Sequence, residues 1–256
     1  MSARIAPIYL DYAASTPVDP RVAAEMAGCL GPDGVFGNPA STSHAYGREA
    51  ATRLEQARAE VAALVEAPPE SIVFTSGATE ADNLAVLGIA RGRADRGRHV
   101  VTMRTEHKAV LDPCRRLEKE GHAVTWLEPG RDGLLDPEAL RAALRPDTVL
   151  VSIMHANNET GVLQDLAAIA ALCREHGVLL HSDAAQSAGR VPVAVGALGV
   201  DLLSISAHKL YGPKGIGALY VGPAARPWLQ PLAWGGSHEQ GLRPGTGWII
   251  PNWLHE

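Results

Sequence analysis

The sequence predicts an α/β fold, a three-layer αβα arrangement around a mostly parallel mixed sheet. Two features of the 256 residues point to it. Short apolar runs of strand length alternate with longer stretches whose apolar residues recur every three or four positions, the order expected of a parallel sheet with covered faces. Several of the short runs also end in polar or glycine-containing loops, which sets reactive side chains along the carboxyl edge of the sheet, where open α/β sheets bind ligands.

The elements follow in order. Ile8 to Tyr12 is a short apolar entry, and a helix is expected from about Arg21 to Leu30. Beyond the polar loop Gly37 to His44, the positions Ala50, Leu54, Ala57, Val61 and Leu64 form one helical stripe, ended by Pro68-Pro69. Ser71 to Thr75 reads as a strand and Glu80 to Leu87 as a helix. The alternation continues with strand His99–Met103, helix Leu111–Glu120, strand Ala123–Leu127, helix Pro137–Ala143, strand Val149–Met154 and helix Leu166–His176. An apolar strand from Val178 then ends at Asp183, and another, Leu202 to Ile205, runs into Ser206-Ala-His-Lys209 and breaks at Gly212-Pro213.

Composition narrows the function classes. With 46% apolar residues, 20% charged residues and a formal net charge of -5, the balance is that of a soluble globular domain. Lys and Arg are scattered, so no footprint for nucleic acid is visible. No apolar run approaches the ~18 residues that span a bilayer, and the first residues lack a signal-peptide layout, so a cytoplasmic protein is expected. Cys29, Cys114 and Cys173 stand far apart, which argues against a disulfide framework and a zinc site, and the histidines form no metal-binding cluster. Cys29 and Cys173 fall in predicted helices and read as core residues, as free cysteines often are.

Lys209 is the residue around which the chemistry gathers. An ordinary lysine has a pKa near ~10.4, and burial can lower it by up to roughly 3–5 units, freeing the amine to attack a carbonyl. The competing reading is a pair of surface lysines, Lys209 and Lys214, in a loop. The turn Ser76-Gly-Ala-Thr79 likewise admits two readings, an ordinary helix start capped by Ser76 or Thr79, or an anion seat on free helix amides. His107 follows a strand end and is either structural or catalytic. Asp183 needs a cationic or protonated partner, which is either structural or a pyridinium nitrogen. One ligand would serve Gly77 to Thr79, His107, Asp183 and Lys209 together: a phosphate, a flat ring with a protonatable nitrogen, and an aldehyde describe pyridoxal 5'-phosphate.

Several ordered motifs carry a family resemblance. They are Tyr9-Leu-Asp-Tyr-Ala-Ala, Gly37-Asn-Pro-Ala-Ser, Phe74-Thr-Ser-Gly-Ala-Thr-Glu80, Thr105-Glu-His-Lys-Ala-Val-Leu111, Asn157-Asn-Glu-Thr-Gly161, His181-Ser-Asp-Ala-Ala-Gln186, Ser206-Ala-His-Lys209 and Gly241-Leu-Arg-Pro-Gly-Thr246. Together they resemble the cysteine desulfurases of the class V aminotransferase group, from about Tyr9 to Thr246. The resemblance implies that Lys209 holds the cofactor covalently and moves the substrate α-proton, with His107 stacked on the ring and assisting. It implies that Asp183 pairs with the ring nitrogen, that Gln186 and Asn158 contact the ring oxygen or the substrate, that Ala78, Thr79, Ser206 and His208 hold the phosphate, and that Ala207 also belongs to the cofactor-binding set. Thr246 matches a threonine that reaches the phosphate of a neighbouring subunit, so a homodimer is implied.

The implied reaction converts L-cysteine to L-alanine and leaves the sulfur as a persulfide for an iron-sulfur scaffold or another sulfur-acceptor protein. The implied organisation is residues 1–15 as part of a small domain, 16–246 as the cofactor-binding large domain and 247–256 as an atypical tail. That tail does not match the family's continuation, where the sulfur-accepting cysteine and a substrate-binding arginine lie. A C-terminally truncated member impaired in the persulfide step is therefore expected. The alternatives are a selenocysteine lyase or class V aminotransferase, and a catalytically silent cofactor-binding fragment or interaction module.

Overall fold

A computed structural model of the chain describes residues 7–246. The 247–256 tail and the first six residues of the 1–15 segment lie outside the described residues. The elements are α1 (Pro20–Ala27), α2 (Ala45–Leu64), β1 (Ile72–Thr75), α3 (Ala78–Gly92), β2 (His99–Met103), α4 (Lys108–Lys119) and β3 (Ala123–Leu127). They continue with α5 (Pro137–Ala143), β4 (Thr148–Ser152), α6 (Leu166–Glu175), β5 (Leu179–Asp183), α7 (Val195–Leu198), β6 (Leu202–Ser206) and β7 (Gly217–Val221).

The strands form one seven-stranded sheet in the order β1-β7-β6-β5-β4-β2-β3. All neighbours are parallel except β7, which runs antiparallel between β1 and β6. Because β7 reverses direction between them, β1 and β6 point the same way as the rest of the sheet. The carboxyl ends of β1, β2, β4, β5 and β6 therefore lie on one edge, as the loop pattern requires.

Both sheet faces are buried, which is why these strands read as continuous apolar runs. Val101, Val151, Leu180 and Leu203 face a core built with Val22, Val61, Leu140, Ile169 and Val195, from α1, α2, α5, α6 and α7. Their neighbours Val100, Leu150, Leu179 and Leu202 face the opposite way, against Leu84, Ile89, Val110 and Leu117 of α3 and α4. Truncating a fully buried leucine such as Leu180 to alanine would cost about 2–5 kcal/mol.

The structure corrects several sequence expectations. Helix α1 ends at Ala27, with Gly28 as its C-cap, so Cys29 lies past the helix and is partly exposed rather than in the core. Ile8 to Tyr12 forms no strand, and Ile8 and Leu10 are exposed. Neither Ser76 nor Thr79 caps α3. Its N-cap is Gly77, without any side-chain cap, and the Thr75 hydroxyl donates instead to the Gly77 carbonyl at 2.9 Å. Strand β7 was not anticipated, because its few residues follow a turn loop with no polar alternation to mark them.

Candidate active site

At the carboxyl edge of the sheet lies a cavity of about 780 Å³, lined by Ser76 to Glu80, His107, Asn158, Asp183, Gln186, Ser206, His208 and Lys209, among others. This is within the size range of small-molecule sites. Its first wall is the β1–α3 turn. Gly77 has φ +144, open only to glycine, and a Cβ built there would meet nothing within 4 Å, so the turn faces open space. The α3 amides that follow have no side-chain cap, and the helix dipole makes that end attractive to an anion. The turn is braced from behind: Glu80 accepts the Ser76 N–H at 2.6 Å and the Arg243 guanidinium at 3.0 Å. Burial pushes Glu80 up, but those hydrogen bonds outweigh it and hold its carboxyl below the usual range.

Lys209 closes the turn that follows β6. It is half-buried, and burial lowers its pKa; the charge of Arg190 lowers it further while Asp183 opposes both. The turn is held by the N-terminal segment. The Thr16 N–H and hydroxyl both donate to the His208 carbonyl, at 2.8 and 3.0 Å, and Tyr211 donates its N–H to the Thr16 hydroxyl at 2.8 Å. Ser15 meets His208 Nδ1 at 3.2 Å, and Asp11, Ala13, Ala14 and Ser15 line the cavity. This wall was missed by sequence reasoning, because contacts nearly two hundred positions apart leave no local pattern.

Asp183 ends β5 and is 5% exposed; its Oδ1 accepts the Ala185 N–H at 2.8 Å. Burial, and then the charge of Asp82, push its carboxyl up to about 7. The alternation of a strand puts His181 on the same face as Asp183, with Ser152 and Ser204 on the flanking strands. His181 Nδ1 meets Ser152 Oγ at 2.8 Å and Nε2 meets Ser204 Oγ at 3.0 Å. Asp82, Glu106 and His181 are all buried here, and none was singled out as a site residue from the sequence. The His-Ser-Asp order with strand spacing was the available signal for His181; Asp82 and Glu106 had none.

The remaining expected residues divide. His107 is the N-cap of α4, its Nδ1 accepting the Ala109 N–H at 3.1 Å, so Nε2 carries the proton of the neutral ring. Asn158 lines the cavity and donates to Glu159 Oε1 at 2.7 Å. Gln186 also lines it, while its amide donates to the Ala13 carbonyl at 2.9 Å and accepts from Arg190 at 3.1 Å. Ala78, Thr79, Ser206 and His208 line the cavity, whereas Ala207 is buried, is not among the lining residues, and donates its N–H to Ile216. Thr246 is exposed and is not among the residues lining this cavity.

These residues fit pyridoxal 5'-phosphate: uncapped amides facing open space suit its phosphate, a half-buried lysine suits its aldehyde, and a buried acid without a cationic hydrogen-bond partner suits its ring nitrogen. Among the described residues no group could hold a metal ion, and no helix is long and apolar enough to cross a membrane.

The model of the aminotransferase class-V family matches residues 8–248. The cysteine desulfurase IscS of Shewanella sediminis is 58% identical over 240 residues, covering 94% of this chain and 59% of the relative. That of Aeromonas hydrophila is 60% identical over the same shares. The chain thus spans 59% of the length of these curated relatives. Among solved structures, one described as SspA in complex with cysteine matches with a TM-score of 0.90 at 42% identity, over 95% of this chain and 70% of that one. DndA from Streptomyces lividans matches with a TM-score of 0.80 at 44% identity, over 95% and 68%.

Proposed function

The chain belongs to the class-V aminotransferase family, and from that membership we propose that it serves a pyridoxal 5'-phosphate-dependent cysteine desulfurase reaction. L-Cysteine and an acceptor thiol become L-alanine and a persulfide. The C–S bond of cysteine breaks, the sulfur atom joins the acceptor sulfur, and the β-carbon gains a hydrogen. The observation that carries the reading is the meeting of Lys209, the Gly77–Thr79 amides and Asp183 around one cavity. Similarity to a structure described as a complex with cysteine supports the substrate.

When bound, the cofactor supplies a carbonyl that condenses with amines and a ring that accepts an electron pair. The chain's residues do the rest. Lys209 Nζ, made less basic by burial, would hold the cofactor at that carbonyl and would take the substrate α-proton. Asp183 holds the ring nitrogen protonated, and His107 Nε2 offers a second proton-handling atom at the cavity wall. Ala78, Thr79, Ser206 and His208 hold the phosphate. Thr246, exposed and outside its own chain's cavity lining, is assigned to the phosphate of a second copy in a homodimer.

The sulfur acceptor is a thiol that these three cysteines do not provide. None lines the cavity, and burial pushes the Cys114 and Cys173 thiols up to about 12, where almost no thiolate exists. An iron-sulfur scaffold or other sulfur-acceptor protein is the proposed recipient.

Borohydride reduction of cofactor-loaded protein, followed by peptide mass spectrometry, should place the adduct on Lys209. Incubation with L-cysteine and dithiothreitol, which stands in as the acceptor thiol, should release alanine and sulfide in equal amounts but slowly, because none of the three cysteines relays the sulfur, and Lys209→Ala should abolish both. A keto acid in place of alanine would instead mark transamination. Absence of any adduct, with Lys209→Ala unchanged, would overturn the reading.

A further inference from the structure

Around Asp183, behind the lining of the cavity, the protein buries more carboxyl groups than a single ring nitrogen needs. Asp82 from α3, Glu106 from the β2–α4 loop and Asp183 from β5 are all buried and within electrostatic reach of one another. We propose that Asp82 and Glu106 are held as neutral carboxylic acids beneath the cavity, so that Asp183 alone carries the negative charge offered to the ligand. The inference rests on the proposed function only in taking that ligand to be the cofactor's pyridine ring.

Hydrogen bonding separates the three acids. Asp82 is 0% exposed; no donor meets its oxygens in good hydrogen-bond geometry, and the polar side chains nearest to it are the Ser204 hydroxyl and the Asp183 carboxyl. A carboxylate in that position would have exchanged its water for a single hydroxyl, that of Ser204, which His181 also engages, whereas the protonated acid loses far less and brings its own donor, with Asp183 within its reach. Glu106 is 5% exposed; its Oε1 accepts the Met154 N–H at 3.0 Å, and its Oε2 has no partner, which leaves that oxygen as the place for a proton. Asp183 differs from both. It takes the Ala185 N–H, lines the cavity and is the acid a ligand can reach.

The surrounding groups do not supply a counter-ion for Asp82. His181 Nε2 lies 3.5 Å from Asp82 Oδ1, but both ring nitrogens are already engaged by Ser152 and Ser204, and burial draws the ring's pKa down to about 4, so it is neutral. Lys209, on the β6–β7 connection, is one half-buried amine within reach of both Asp82 and Asp183, with Arg190 repelling it. From α4, the buried Cys114 faces Glu106 as a neutral thiol. Three carboxylates against one amine in a buried site would repel strongly. Neutralising the two that are remote from the ligand removes that repulsion and lets Asp183 ionise opposite a protonated ring nitrogen. Asp82 and Glu106 are in this sense positioning residues, acting through Asp183.

The experiment uses the full chain, with Asp82→Asn and Glu106→Gln as neutral isosteres. At about pH 6, below the value of about 7 to which burial pushes Asp82 and with burial holding Glu106 well above its ordinary range, each variant should lack a carboxylic-acid C=O infrared band that the wild type shows. Each should keep its affinity for pyridoxal 5'-phosphate within about threefold, while Asp183→Asn should lose at least about tenfold. Asp82 carries the sign of a buried acid, pushed from 3.8 up to about 7. Its proton is therefore lost at greater cost in the folded state, and the wild type should fall behind Asp82→Asn in unfolding midpoint as pH rises through that window.

Unchanged infrared bands, or a loss of about tenfold or more in cofactor affinity in Asp82→Asn, would overturn the proposal; the latter would mean that Asp82 works as an anion paired with a protonated His181. If the wild type bound no cofactor at all, the proposed function would fail instead. The infrared and unfolding comparisons need no cofactor and would still decide the charge state.

Discussion

One end of the cavity offers backbone amides to an anion, and the other offers a buried carboxyl group. The first end is built from main chain: Gly77 turns at φ +144 and leaves the first amides of α3 uncapped. The second is built from side chains on three strands and a helix, Ser152, His181, Asp183 and Ser204 with Asp82 below them. The difference lies in what each must tolerate. Amides carry no titratable proton, so their share of the anion end depends on backbone shape and not on where protons sit. The acid end depends on where protons sit, and burial makes that placement sensitive to every neighbour.

The largest effect on this contrast is expected at the acid end. Asp183→Asn removes the charge that holds the ring nitrogen protonated and should cost about 2–5 kcal/mol of cofactor affinity, read by equilibrium titration of the visible cofactor band.

Next comes the acid limb of stability. Burial lowers His181 from its ordinary 6.5 to about 4, so the unfolded chain takes up a proton first as pH falls through that window. Stability from this residue is complete above pH 6.5 and lost progressively towards 4, by up to about 3 kcal/mol. His181→Asn should flatten that limb in urea unfolding curves.

At the amide end, Gly77→Ala forces a side chain into a left-handed conformation at about 1–3 kcal/mol. It should weaken inorganic phosphate competition and cofactor binding in parallel, with no change in the acid limb. Smallest is Arg243→Ala. Its ion pair with Glu80 is partly exposed, so loosening the Ser76 brace should change cofactor affinity by only about 0.2–1 kcal/mol.

Much of this was legible in the chain. Strand β2 and helix α5 fall at the bounds their apolar periodicity predicts, and the polar residues after β1, β2, β4, β5 and β6 meet at one cavity. Lys209, His107, Asp183 and the Gly77 turn were visible because each sits immediately after an apolar strand. Helix α3 starts without the cap that Ser76 or Thr79 suggested, because its N-cap position falls on Gly77, which has no side chain to accept an amide. Glu106 looked like part of a polar loop, yet it folds under the sheet edge to receive the Met154 amide.

Order along the chain determined the layers, the carboxyl edge and which polar side chains stand along it, because strand and helix periods and glycine turns are local properties. Tertiary structure alone decided which acids lose their water, how the segment around Thr16 walls the cavity, and what charge each carboxyl group can carry. Those outcomes depend on packing between residues far apart in sequence, and the energy of a buried charge is set by its surroundings rather than by its own chemistry.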